Sequence, residues 1–242
     1  MSSLVIGTVI LLALGDSLPT GAPLWYALAA GVCGGFGLIA LYTALSIGIM
    51  SIAAPISALA AAVPFLWGMM RGDSPRAIQL VGACVALVGA LLAAREPSHS
   101  HVTREKFQRS VGLALISAVL LGTGLVFLGY AAPGGAMPVL VADRIATSAI
   151  TVPLAIMLGQ MPRRGGGPVW PLIAVGLFDT SANAFYIAAF QQGGMMALVG
   201  VLASLYPVTT VVLARLTLKE SMERHQAIGV GVALAGIALI AV

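Results

Sequence analysis

The chain has 242 residues, of which 60% are hydrophobic and only 8% charged, where a soluble domain carries about a quarter charged residues. That balance excludes an ordinary soluble domain and marks an integral membrane protein. The formal charge of +4 does not point to nucleic acid, because the basic residues sit in short loops between apolar runs and form no patch interleaved with aromatics.

Apolar runs bounded by charges or turn residues predict nine crossings, over 1–15, 24–46, 49–70, 76–94, 110–131, 137–158, 169–190, 195–217 and 224–242. All are expected to be helices, since barrel strands would alternate polar and apolar residues and these runs do not. The first run is shorter than the roughly 20 residues a full crossing needs. Cys33 and Cys84 fall inside apolar spans and far apart, so neither a disulfide framework nor a metal site is expected, and no cofactor is called for. Small-residue strips at Gly31/Gly35, Gly82/Ala86 and Gly231/Ala235 suit close helix packing. In the long loop from Arg95 to Arg109, His99 and His101 read as a solvated linker.

A shift of 145 positions lays Pro23, Trp25, Gly31, Ala44, Gly48 and Met50 on Pro168, Trp170, Gly176, Ala189, Gly193 and Met195. After a two-residue slip, Asp73, Ser74, Gln79, Gly82 and Gly89 fall on Glu220, Ser221, Gln226, Gly229 and Gly236. Two copies of one unit follow, over 1–97 and 110–242, with 98–109 between them. Nothing in the first copy matches Ser110 to Arg144, so it is expected to lack one crossing and the start of the next, leaving four helices against five. Arg95, Arg104, Lys106 and Arg109, the Arg163/Arg164 loop and the Lys219/Arg224 loop fall on one side, against Arg71 and Arg76 on the other. The excess of basic residues assigns that side to the cytoplasm, and matching crossings then run in opposite directions, as in an inverted-topology repeat.

Chemistry at membrane depth is concentrated in a few residues. Asp143 and Arg144 lie one or two turns into the crossing that begins near Met137, and Asp179 lies near the middle of the next. Ionisable groups there cost at least about 2.5–3.5 kcal/mol each on insertion scales, so they face the bundle interior and mark a pathway. Asp179, Asn183 and Tyr186 share one helical face by their i, i+4, i+7 spacing. With antiparallel neighbours, Arg144 reaches Asp179, in a pair that either faces a solute or only fixes helix packing. Pro55 and Pro64 interrupt one crossing, while Gly200 and Pro207 interrupt its repeat partner, and such paired interruptions point to a transporter binding site. The candidate substrate-binding set is therefore Arg144, Asp179, Asn183, Tyr186, Tyr206 and Pro207. Arg144 can hold a carboxylate or phosphate bidentately, and Asp179 can balance that charge or carry a coupled proton. No Ser/His/Asp set, phosphate-cradling loop or HExxH appears, so an enzyme is not expected.

These residues resemble the drug/metabolite transporter superfamily, and within it the EamA-like permeases, over the whole chain. The resemblance rests on Tyr42 to Gly48 leading into Ala54-Pro55-Ile56-Ser57, on Leu205-Tyr206-Pro207-Val208, on Leu218-Lys219-Glu220 followed by Gln226 and Gly229, and on Arg144 early in its crossing. It implies two inverted repeats of five helices, here four plus five, and transport of a small metabolite such as an amino acid. Export across the cell (inner) membrane by alternating access is the implied mode. Two departures stand out: Asp73 occupies a position where the family usually has Glu, and the first helix is absent. The family is also drawn with both termini cytoplasmic, opposite to the side assigned by the basic residues. The alternative is a shortened, non-transporting membrane scaffold or assembly partner.

Overall fold

The computed structural model describes residues 2–47, 56–93, 104–159, 170–203, 205 and 224–240. Their regular structure is entirely helical. Helix α1 is Ser2–Leu14, α2 Ala22–Ser46, α3 Ala62–Met70, α4 Ala77–Ala93, α5 Arg104–Ala131, α6 Ala136–Met157, α7 Trp170–Gln191, α8 Met196–Ala203 and α9 Arg224–Ile240. Short 3-10 turns, Leu59–Ala61 and Ala132–Gly134, precede α3 and α6. Among the described residues, four spans, Ala22–Ser46, Arg104–Gly134, Ala136–Met157 and Ile173–Gln191, are long and apolar enough to cross a membrane. Tyr206, Pro207, Pro55 and the Arg163/Arg164 loop lie outside the described residues.

One boundary differs clearly from the sequence expectation. Helix α5 begins at Arg104, six residues before the apolar run. Arg, Glu, Lys and Gln are good helix formers, and Glu105 in the first turn favours the positive end of the helix dipole. Apolarity marks what lipid covers, and the helix extends beyond it.

Three helices stop in the same way. After α7, the Gly194 N–H bonds to the Ala189 carbonyl at 2.8 Å and the Gly193 N–H to Phe190 at 3.0 Å, with Gly193 at φ 82°. This paired closure needs a left-handed residue, which glycine adopts without a Cβ penalty. Asp16 and Gly15 close α1, and Asp73 and Gly72 close α3, by the same pair of bonds.

The chain divides into two compact units. The first comprises Met1–Phe36 and Gly124–Gly194, the second Gly37–Thr123 and Met195–Val242. Each therefore joins a segment from the first half of the sequence to one from the second.

In the first unit, Ser3, Gly7 and Leu11 form the buried stripe of α1. Gly7 lies against Val141 of α6, and Gly176 of α7 lies against Ser2 and Ile6. The Ser3 and Thr180 hydroxyls bond at 3.1 Å, tying α1 to α7. Gly31 brings α2 so close to α6 that a β-carbon would strike the Asp143 carbonyl, and the Thr147 hydroxyl donates to the Gly31 carbonyl at 3.0 Å. Gly35 continues that contact against Ile150. Tyr26 packs on Phe127 and Tyr130 of α5.

In the second unit, α4 and α9 run antiparallel in backbone contact. Gly82 meets the Gly236 carbonyl and Ile240, and Gly89 meets Ala233 and the Gly229 carbonyl. Reciprocally, Gly229 meets Ala93 and the Gly89 carbonyl, and Gly236 meets Ala86 and the Gly82 carbonyl. Adding or subtracting the repeat shift of 147 converts the Gly82/Gly236 contact into Gly229/Gly89. The strip expected at Gly231/Ala235 is not the packed one, since Gly231 has open space where a side chain would be. The packed stripe is Gly229, Ala233, Gly236 and Ile240, which is the i, i+4, i+7, i+11 face. Leu198, Val201 and Leu205 join Ala83, Ala86, Ala90 and Ala233 in the apolar core.

Helices α3 and α8 also pack in this unit. Gly200 lies against Pro64, and Gly68 against Ala197. The Asp73 carboxylate accepts from the Ala197 N–H at 2.8 Å, capping the start of α8. Pro64 cannot donate to the Ala60 carbonyl one turn earlier, and that stretch of chain is the 3-10 turn. The Ala60 carbonyl abuts Gly122 of α5.

Candidate functional site

The candidate site lies in the first unit, on α6 and α7. Gly135, at φ 89°, ends the 3-10 turn and starts α6. Asp143 and Arg144 follow about two turns further, roughly 10 Å along the axis. The Thr147–Gly31 and Ser3–Thr180 bonds hold α6 and α7 in rotation on either side of them.

Arg144 makes the central contact. Its Nη2 lies 2.9 Å from Asp179 Oδ2 on α7, and its Nη1 lies 3.5 Å from Asp143 Oδ2. Asn183 Nδ2 donates to the Asp179 backbone carbonyl at 2.9 Å and to its Oδ1 at 3.2 Å. Both Asp179 oxygens therefore accept, one from each neighbour. The Arg144 side chain is 17% exposed and that of Asp179 41%, so the carboxylate is the open end of the pair. Arg144 Nε is buried and has no hydrogen-bond partner among the described residues.

The structure thus joins Arg144, Asp179 and Asn183. Tyr186 is placed differently from its neighbours on the same face. It is buried, its hydroxyl donates to the Leu125 carbonyl of α5 at 3.0 Å, and its ring meets Phe190 edge-on. Tyr206 and Pro207 are not among the described residues. Asp143 is the residue that sequence reasoning left out of the set, although its depth and its neighbour were the signal. Adjacent helical residues point in different directions, yet the length of Arg144 lets its guanidinium reach back to it.

A concavity of about 520 Å³ lies at the α1–α2 and α5–α6 connections, lined by Pro19, Pro23, Pro133, Gly134 and Pro138, with Asp16 as its one ionisable residue. It does not include the Arg144 cluster. Among the described residues no group of His, Cys, Asp or Glu is arranged to hold a metal ion.

Chemically, the cluster is a guanidinium with one paired, partly open carboxylate and one buried one. It can exchange partners: a carboxylate can replace Asp179 on Arg144, and an ammonium can then pair with Asp179.

Comparisons with known proteins bear on the whole chain. A model of the EamA-like transporter family matches residues 108–242, more than half of the sequence. No curated protein matches it. One solved structure, described only as "Crystal structure of protein", aligns with 100% of this chain and 85% of its own at a TM-score of 0.80 and 21% identity. That likeness concerns the fold.

Proposed function

This chain belongs to the EamA-like transporter family, multi-pass membrane proteins that carry small solutes and are not enzymes, and on that premise we propose that it exports an amino acid or a related small metabolite across the cell (inner) membrane. The observation that carries the reading is the Arg144–Asp179 pair, 2.9 Å apart between two apolar helices with its carboxylate side partly open. An ion pair at such depth is expensive to maintain and marks a solute path more often than a surface pair would.

In the proposed cycle, the solute carboxylate takes the Arg144 fork, whose planar geometry lysine cannot reproduce. Asp179, released from Arg144 and still held by Asn183, receives the solute ammonium. Tyr206 and Pro207, proposed for the same site from the sequence alone, lie outside the described residues. Alternating access is supplied by inverted repeats 1–97 and 110–242. The reciprocal α4–α9 contacts support that reading, because antiparallel helices exchanged by the repeat shift are what an inverted pair produces.

Counterflow in proteoliposomes with a panel of radiolabelled amino acids tests the proposal. At least one solute should exchange, Arg144→Lys should lower its uptake about tenfold or more, and Asp179→Asn should lower it comparably with folded yield preserved. A non-transporting scaffold would give no counterflow with any solute. Unchanged transport in both variants would move the site elsewhere.

A further inference from the structure

We infer that the concavity at the α1–α2 and α5–α6 connections is a binding site for a primary ammonium group carried on a short apolar stem, separate from the Arg144 cluster. Its walls are set before any ligand arrives. Pro19 and Pro138, both buried, line it beside the half-buried Pro23, and Gly134 passes so close that a β-carbon there would strike Pro19 and Pro23. The turn that holds Gly134 is tied to the end of α7, because Gln191 Nε2 donates to the Ala132 carbonyl at 2.9 Å. Asp16 is also placed by the backbone: its N–H bonds to the Leu11 carbonyl at 3.2 Å, in the closure that ends α1 at Gly15 with φ 71°. A preformed bowl of about 520 Å³ is of the usual size for a small-molecule site, and its rigidity lowers the entropic cost of binding.

The lining selects a positively charged donor. Proline has no N–H, so Pro19, Pro23, Pro133 and Pro138 offer only carbonyls and pyrrolidine faces. The N–H groups of Asp16 and Gly135 are already spent on the Leu11 and Ala132 carbonyls. Beside them stand the Asp16 carboxylate, which accepts, and the Ser17 and Thr20 hydroxyls, which accept as well as donate. An ammonium group only donates and carries the opposite charge, so it is matched here, whereas a carboxylate or phosphate is repelled by Asp16. Helix dipoles do not reverse that sign, since α1 and α5 end at these connections while α2 and α6 begin there. A bare divalent cation fits less well: it asks for about six or more oxygen ligands, while the proline rings give an alkyl stem apolar contact. The bowl lies where the spans Ala22–Ser46 and Ala136–Met157 begin and Arg104–Gly134 ends, at the edge of the membrane. Its ammonium therefore comes from a dissolved amine or from the headgroup of an amino-phospholipid.

Equilibrium dialysis of radiolabelled n-butylamine against the full chain in phosphatidylcholine nanodiscs, with the uptake of empty nanodiscs subtracted, tests the site. The wild type should bind it saturably, and unlabelled n-butylamine should displace the label where n-butanol and butyrate do not. Asp16→Asn should weaken binding about fivefold, the upper range for an exposed ion pair, and Asp16→Lys should abolish it. Gly134→Leu, which fills the bowl, should abolish it as well. The comparison of the three ligands on the wild type suffices if a variant fails to fold. Equal displacement by n-butanol, or unchanged binding in both Asp16 variants, overturns the inference. So does binding that survives in Asp16→Lys and disappears in Asp179→Asn, because it then belongs to the Arg144 cluster. Adding phosphatidylethanolamine to the nanodiscs identifies the source: a headgroup site loses n-butylamine in its presence, and a site for dissolved amines keeps it.

Discussion

Pro64 of α3 lies against Gly200 of α8, and a β-carbon at position 200 would collide with the proline ring. The residue that breaks the hydrogen-bond ladder of one helix therefore occupies the space that a side chain on the other would need. Gly200→Leu should destabilise the protein by about 1–3 kcal/mol, the usual cost of overpacking. Pro64→Ala combined with Gly200→Ala should recover stability relative to Gly200→Ala alone, because the clash then disappears. Thermal unfolding in detergent of the two singles and the double gives the coupling. Strictly additive effects would mean that the contact does not constrain either helix.

The Asp73 carboxylate satisfies one of the orphan N–H groups at the start of α8, at Ala197. Asp73→Ala should lower stability by about 0.5–2 kcal/mol, as for other N-cap losses. Asp73→Asn keeps an acceptor oxygen and should recover most of it. Melting temperatures of the pair decide the matter. Equal losses in both would assign the effect to charge rather than to the hydrogen bond.

Tyr186 spends its hydroxyl on the Leu125 carbonyl. Tyr186→Phe should therefore cost about 0.5–1.5 kcal/mol of stability, the net worth of one such bond, and leave the KM of the transported solute unchanged. A KM that rises several-fold with unaltered melting would put the hydroxyl on the solute instead.

Much of this fold can be read from apolar runs and their borders. Helices α1, α2, α4, α6 and α7 begin and end within two residues of expectation, because charges or Gly and Pro stand where lipid ends. Helix α5 escaped this logic at its polar start, where propensity and dipole extend the helix into water. The Arg144–Asp179 pair was legible from depth and from antiparallel spacing alone. Asp143 was visible but ungrouped, since neighbours in sequence diverge on a helix and only a long side chain reunites them. Tyr186 shares the face of Asp179 by periodicity, yet its partner is a backbone carbonyl on α5, which no sequence pattern displays. Likewise, choosing between the Gly229 and Gly231 stripes of α9 requires knowing which face meets α4, and in a chain with 29 glycines spacing alone offers several answers.

The contacts between α4 and α9 map onto themselves when the two helices exchange roles. A surface of that kind is what two separate copies of a half-length polypeptide would present to form a two-fold homodimer. Here a single chain carries both faces, so pairing is unimolecular and indifferent to dilution, whereas a dimer of separate halves would fall apart at low concentration. The two sets of contacts lie on the same pair of helices in backbone contact, so a bulky residue at Gly89 would part α4 from Ala233 and Gly229 and strain the neighbouring contact of Gly236 with Ala86 and Gly82 as well.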